Sequence, residues 1–401
     1  MDKPVAAVEI TTKSIKIVVG YIVDEKVYPI YAFTKPIGEV RKNDTFSNIP
    51  STISSLSELK KIDDDLARLH LTISDCILVM PPMGLQIFQT MKTTALTGDD
   101  GKVDYTDIKN AFSLVKNPIA YNTANSLVDI IPDCFILDQG RSYSNPPLGE
   151  STSSLTIQAK VHTLPRHFIE TFERIVNGAG IDIKRKVISA FGASELIATY
   201  PNTPLDYILV DIGANETVVS LIGNKQLYTC EIFNWGGDNL THRIMEEFNI
   251  SEAEAEKIKV ANGLDNRKMN FQAPIVETTL EDGTVERHYS EELNKLLKAE
   301  LENFVAGVNK AINNLLKDYN PTYKTMPMIL IGGGALLKGL ESYLAPKVQS
   351  KEVTVFIPQT LGCRNPSYVS CLGAMLVVSK YRYSFDENRQ RVEQVVRTKK
   401  E

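Results

Sequence analysis

The stretch Tyr207–Leu221, YILVDIGANETVVSL, constrains this chain more than any other. It reads as two apolar strands joined by a turn that opens with Asp211 and Gly213. Met328–Leu340, MILIGGGALLKGL, repeats the plan of a strand running into glycine, and Val5–Val19, VAAVEITTKSIKIVV, is a worn copy. In such a turn the backbone N–H groups can face an anion, while a carboxylate at the strand end can hold a cation through water. Gly332, Gly333 and Gly334 let backbone come close to a ligand. A single turn of this kind is ordinary in a β-rich protein. Three of them, in the order worn turn, acidic turn, triple glycine, predict a two-lobed phosphate clamp.

At 401 residues the chain has material for two to four domains and more than one core. Charged residues make up 23% and the formal net charge is −5, with no basic stripe to offset it, so a nucleic-acid partner is not expected. Cys76, Cys134, Cys230, Cys363 and Cys371 are odd in number and widely spaced, which argues against a disulfide framework or a zinc site and for a reducing compartment. The start, MDKPVAAVEI, lacks the layout of a signal peptide, and no apolar run approaches the length of a membrane span. The chain is therefore expected neither to be secreted nor to cross a membrane.

Val5–Ile10, Ile15–Val23 and Val27–Phe33 are β-branched runs that suit an antiparallel meander. Ser51–His70 carries Ile53, Leu56, Leu59, Ile62, Leu66 and Leu69 at helical spacing, and Ile77–Met80 supplies a buried strand before Pro81 and Pro82. A strand over Leu85–Thr94, a helix capped near Thr106, and strands over Ser126–Leu137 and Ser154–His162 form a β-α-β-β unit. We read it as an inserted interaction module, because the helix Pro165–Gly178 and strand Lys186–Ser189 return to the first lobe. In the second lobe Ser251 and Glu254 form a capping box closed by Gly263. A hairpin over Val276–Tyr289 turned by Asp282-Gly283 follows, then a helix from Ser290 to about Asp318 whose apolar stripe reads as core packing.

These residues together resemble the FtsA family, actin-like bacterial cell-division proteins of the actin, hexokinase and Hsp70 superfamily. Beyond the three turns, the resemblance rests on VDIIPDCF (Val128–Phe135), NPPLG (Asn145–Gly149), QAKVH (Gln158–His162), FNWGGDNLT (Phe233–Thr241), AEAEKIKVANG (Ala253–Gly263) and NPSYVSCLGAM (Asn365–Met375). It runs from about Val5 to Lys380. It implies an α/β, actin-like two-lobed ATPase fold with an FtsA-type β-α-β-β subdomain inserted. The implied division is a first-lobe core at 1–82 and 163–190, the insert at 83–162, a second-lobe core at 191–235 and 318–380, its outer part at 236–317, and a polar tail at 381–401.

The resemblance also implies ATP with Mg²⁺ in the cleft between the lobes. Carried over, Thr11 and Thr12 belong to the first phosphate turn, and Gly213, Ala214 and Asn215 to the second. Asp211 with Glu9 would hold the metal. Gly236 and Gly237 open a helix whose N–H groups can face phosphate, Glu256 and Lys259 fall where the family contacts the ribose, and Gly332, Gly333, Gly334 and Ala335 would face adenosine. Two departures bear on chemistry. Thr11 stands where the family has glycine, placing a branched side chain toward the phosphate. Ala214, Asn215 and Glu216 stand where two further glycines and a threonine are usual, which brings negative charge near a triphosphate.

The expectation is therefore a nucleotide-binding scaffold, at most a weak ATPase, rather than an active ATPase or kinase. No general base is evident, since His162, His167 and His242 read as structural or exposed. A pilus-assembly scaffold related to FtsA is the other alternative, favoured by DIGA at Asp211–Ala214 and opposed by QAKVH and IIPDCF. As partners the resemblance implies the C-terminal tail of tubulin-like FtsZ, self-association into filaments, and other division proteins through the insert. It also implies the inner face of the cell membrane at the division site, reached through a C-terminal amphipathic helix. Tyr381–Glu401 has too thin an apolar face for that role, although Arg397, Lys399 and Lys400 can touch anionic lipid. The chain is thus expected to stop short of an anchor, the alternative being attachment through another protein.

Overall fold

A computed structural model describes residues 3–42, 45–64, 68–120, 124–264, 274–279, 284–317, 319 and 325–381. Two five-stranded sheets of the same plan dominate it. In the first, the strands run in the order Asp182–Ile188, Asp75–Met80, Val5–Ile10, Ser14–Val23, Lys26–Pro36. In the second the order from the opposite edge is Val353–Val355, Met328–Ile331, Tyr207–Ile212, Thr217–Gly223, Gln226–Phe233. Each central strand pairs in parallel on one side and with its hairpin partner on the other. Ile10 pairs with Ile15 and Ile212 with Thr217, so both hairpins close through turns of the same length, and Thr11 corresponds to Gly213 and Ser14 to Glu216.

The central strands are buried on both faces, which is why they read as unbroken apolar runs broken only by Glu9 and Asp211 near their ends. Between the lobes, the helices Ser189–Ala198 and Val369–Lys380 cross almost entirely buried. The crossing depends on Gly192 and Gly373. A Cβ on Gly192 would lie 2.9 Å from Ala374 N, and one on Gly373 would overlap the Gly192 carbonyl. Their absence lets the two backbones touch.

The insert is a four-stranded antiparallel sheet in the order Ser142–Tyr143, Asn125–Leu137, Ser154–Pro165, Gln86–Ala95, with the helix Tyr105–Ala120 packed on it. That helix starts two residues earlier than Thr106 suggests, because Asp104 accepts the Thr106 and Asp107 N–H groups at 2.7 and 3.0 Å and is the cap. The two long strands carry Val128, Ile131 and Leu164 out of the insert and into the first-lobe core.

The helix expected over Ser51–His70 forms only in its first half. It ends at Leu59, and Lys61–Asp64 pairs with Leu69–Thr72 as a small hairpin that sets Ile62 opposite Leu71. The aspartates that follow Ile62 compete for backbone hydrogen bonds and resist a helix interior, so strand alternation buries Ile62 instead. Leu66 lies outside the described residues, as do the Asp282-Gly283 turn and Asp318; the long helix is described over Ser290–Leu315. Ser251 and Glu254 form the reciprocal capping box, and Gly263 ends that helix at φ 58°.

Candidate functional site

The matching turns of the two lobes face each other, and the hairpin register dictates what each presents. Glu9 and Lys16 are cross-strand partners, and Lys16 Nζ donates to Glu9 Oε2 at 3.0 Å. Burial works against the Lys16 ammonium, yet Glu9 and Asp211 outweigh it and hold its pKa above the ordinary lysine value. For Asp211, burial dominates over the attraction of Lys16, and with Glu9 and Glu216 nearby the carboxyl is pushed up to about 6. Lys16 thus sits between the acids of the two lobes. The sequence reading passed over it, although a turn centred between residues 12 and 13 sets Glu9 opposite position 16.

Thr11 is engaged within the first turn. Its backbone N–H donates to Ser14 O at 2.8 Å, its hydroxyl meets the Ser14 hydroxyl at 2.8 Å, and it accepts the Ser14 N–H at 2.9 Å. The side chain closes its own turn. Thr12 is buried, and its carbonyl accepts the Val40 N–H at 2.8 Å.

The second turn is closed by Gly213 N–H on Glu216 O at 2.9 Å. Gly236 and Gly237 bring the start of the helix Gly237–Phe248 directly onto it, since a Cβ on Gly236 would overlap the Ala214 carbonyl. The N–H groups expected to face phosphate are spent here. Gly236 donates to Asn239 Oδ1 at 3.0 Å, Gly237 to Gly213 O at 3.0 Å, Asp238 to Ala214 O at 2.9 Å and Asn239 to Gly236 O at 3.1 Å.

The pair expected at the ribose is likewise engaged. Lys259 Nζ meets Glu256 Oε2 at 2.6 Å and donates to Gly237 O at 3.0 Å and Thr241 Oγ1 at 2.8 Å, which ties the helix Glu252–Asn262 to its neighbour. The glycine turn divides by role. Gly332, at φ 85°, packs so closely that a Cβ would collide with Asp211 Oδ1, and Gly334 lies against Ile212. Ala335 is buried, whereas a Cβ on Gly333 would meet nothing within 4 Å.

Charged side chains absent from the sequence reading cross the cleft. Arg41 Nη2 donates to both oxygens of Glu216 at 2.6 and 2.7 Å. Lys13 pairs with Asp238 and lies 3.7 Å from Glu252. Asn215, with its amide nitrogen turned to the acceptors around it, donates to Asp238 Oδ2 at 2.6 Å and to Ala214 O at 3.3 Å within the second lobe. No local pattern marks these cations, because their partners are remote in sequence. As donors for Mg²⁺ the two acids differ: Glu9 already accepts from Lys16, while Asp211 is packed against Gly332. Among the described residues no cluster of three or more His, Cys, Asp or Glu could enclose a metal, so a cation here would keep most of its waters.

The model of the family described as "Cell division protein FtsA" matches residues 208–373. FtsA of Bacillus subtilis strain 168 is 23% identical over 92% of this chain and 81% of its own length. FtsA of Streptococcus pneumoniae D39 is 25% identical over 72% of this chain and 62% of its own. Among solved structures, a PilM-PilN type IV pilus biogenesis complex superposes with a TM-score of 0.59 at 13% identity, covering 95% of this chain and 98% of that one. MreB5 of Spiroplasma citri bound to ADP superposes at 0.54 and 11% identity, covering 95% and 97%. The fold is the actin-like α/β fold. Among the described residues no helix is long and apolar enough to cross a membrane.

Proposed function

This chain belongs to the FtsA family of actin-like proteins, and on that footing we propose that it is a cell-division scaffold that binds adenine nucleotide between its lobes. The observation that carries the nucleotide reading is the opposition of two equivalent acidic turns, Glu9 to Ser14 and Asp211 to Glu216, with Gly333 open beside them. Phosphates would lie between the turns, with Mg²⁺ held through water by Asp211 and with Lys16 adding positive charge beside the acids. Glu9 then serves chiefly to fix Lys16. Gly332 and Gly334 would set the floor under the adenosine and Gly333 would face it. Gly213, Ala214, Asn215, Thr11 and Thr12 would shape the phosphate cradle with backbone rather than side-chain groups. Gly236, Gly237, Glu256 and Lys259 would support the rim.

The scaffold role is polymerisation into filaments, capture of the FtsZ C-terminal tail on the outer part of the second lobe, and contact with other division proteins through the insert at the cytoplasmic face of the membrane. Hydrolysis has no evident base: His162 is buried against Phe191 in the core, away from the turns. Calorimetric titration with Mg-ATP, with phosphate release followed with and without FtsZ, tests the reading. Binding with little turnover supports it; absence of binding at millimolar nucleotide leaves a scaffold without nucleotide.

A pilus-assembly scaffold is the second reading, supported by the superposition on the PilM-PilN complex. Parallel titrations with FtsZ-tail and PilN peptides separate the two.

A further inference from the structure

Trp235 is the single tryptophan of the chain, and it joins the second phosphate turn to the long helix Ser290–Leu315. Its backbone carbonyl accepts the Thr217 hydroxyl at 2.7 Å, and Thr217 pairs with Ile212 at the base of that turn. Its indole Nε1 donates to Glu300 Oε1 at 3.0 Å, and its ring lies 4.6 Å from that of Phe304, both on the long helix. The other Glu300 oxygen is held separately by Asn303 Nδ2 at 3.3 Å. Trp235 also borders an apolar cavity of about 10 Å³, whose walls include Ile212, Gly237, Gly334, Leu301 and Phe304. Gly334 is packed so tightly on Ile212 that a Cβ would collide with its side chain, so one wall of the cavity is the floor of the glycine turn. A space this small among apolar groups offers water no partners and stays dry. In an interior packed as densely as a crystal, such a void is where a small displacement can be taken up.

We infer that Trp235 conveys occupancy of the cleft to the long helix: a ligand pressing on Gly334 and the Asp211 turn closes the void, and the indole carries the shift to Glu300. The inference deepens the nucleotide reading given above and rests on it for the identity of the ligand. The link itself is made of contacts present without any ligand, from Thr217 to Trp235 and from Trp235 to Glu300 and Phe304. Packed rings and buried hydrogen bonds hold discrete arrangements, so a shift on one side is passed on instead of being absorbed. The helix is 26 residues long, and movement at Glu300 is therefore carried well away from the cleft.

Because Trp235 is the only tryptophan, the emission of the intact 401-residue chain reads this position alone. Mg-ATP should change that emission over the same concentrations that release heat in calorimetry. Hydrogen exchange at residues 296–308 of the helix should slow about fivefold or more. Glu300→Met removes the acceptor of the indole N–H, and should keep the affinity and the emission change while losing the slowed exchange. Glu300→Gln retains a carbonyl oxygen for the indole and should restore it, which a merely structural role for the side chain does not predict. Without ligand, Thr217→Val releases the Trp235 carbonyl. It should shift the emission and quicken exchange at 296–308 relative to the first-lobe helix Arg166–Gly178, but not in the Glu300→Met background. Thr217→Ala takes its place if the valine variant does not fold. Heat from Mg-ATP with unchanged emission, a Glu300→Met helix that responds as the unaltered one does, or Thr217 variants without effect each overturn the link. A Glu300-dependent effect of Thr217→Val, with neither heat nor emission change at millimolar Mg-ATP, sustains the link and overturns the nucleotide reading of the cleft.

Discussion

Arg185 holds the carboxylate of Asp129 in a doubled pair, with Nη2 at 2.8 and 3.0 Å and Nε at 3.0 Å from its oxygens, and both side chains are buried. Asp129 lies on an insert strand and Arg185 on an edge strand of the first-lobe sheet. The same guanidinium donates to the Tyr381 carbonyl at 3.0 Å, just past the helix Val369–Lys380. One side chain therefore fastens the insert, the first lobe and the end of the second-lobe chain.

Removing one member strands the other charge in the core. Arg185→Met is expected to lower unfolding free energy by about 3–5 kcal/mol, while adding Asp129→Leu should recover much of that loss. Urea denaturation of both variants and the double variant measures the coupling.

His162 has its Nδ1 buried with no partner among the described residues. Burial, with Lys160 and Arg185 adding positive charge, pushes its imidazole down to about 3 from 6.5. The folded state favours neutral His162, so its contribution is complete above the unfolded value and falls as pH drops from 6.5 toward 3. Acid should cost the protein about 3 kcal/mol from this group by about pH 4. His162→Gln should flatten that part of the stability profile in urea titrations at successive pH values.

Asp211 carries the opposite sign. Its folded value of about 6 lies above 3.8, so it binds protons more readily when folded, and stability falls as pH rises through that window. Asp211→Asn should stabilise the nucleotide-free protein at neutral pH by about 1–3 kcal/mol and weaken Mg²⁺-dependent nucleotide affinity. Thermal melts and Mg-ATP titrations of one preparation check both. Unchanged Mg²⁺ dependence would remove Asp211 from the metal assignment.

Adjacent glycines should behave differently. Gly332→Ala meets Asp211 and Ile212 at a left-handed backbone position and should destabilise by about 1–3 kcal/mol. Gly333→Ala finds open space, so its melting temperature should hold while nucleotide affinity falls. Melts and titrations of the two variants side by side make the comparison.

Gly373→Ala would force the two interlobe helices apart where its Cβ would overlap the Gly192 carbonyl. Overpacking of this kind costs about 1–3 kcal/mol or more when the obstacle is backbone, so the variant should melt well below the unaltered protein in calorimetry.

The sequence by itself determined the repeated strand and turn plan, the insert, the capping box at Ser251 and the long helix beginning at Ser290, because each shows in a local pattern of residues. It also located Asp211, Gly332 and Gly333. Local pattern misled at Ile62, where helical spacing and strand alternation bury the same residue and the aspartates beyond it decide. The tertiary structure alone decided that Arg41 meets Glu216 across 175 positions of chain and Arg185 meets Asp129 across 56. It likewise spent the N–H groups of Gly237 and Asp238 on the turn beneath them. Whether a charge is free or paired depends on which units dock against it, and periodicity along the chain carries no record of that docking.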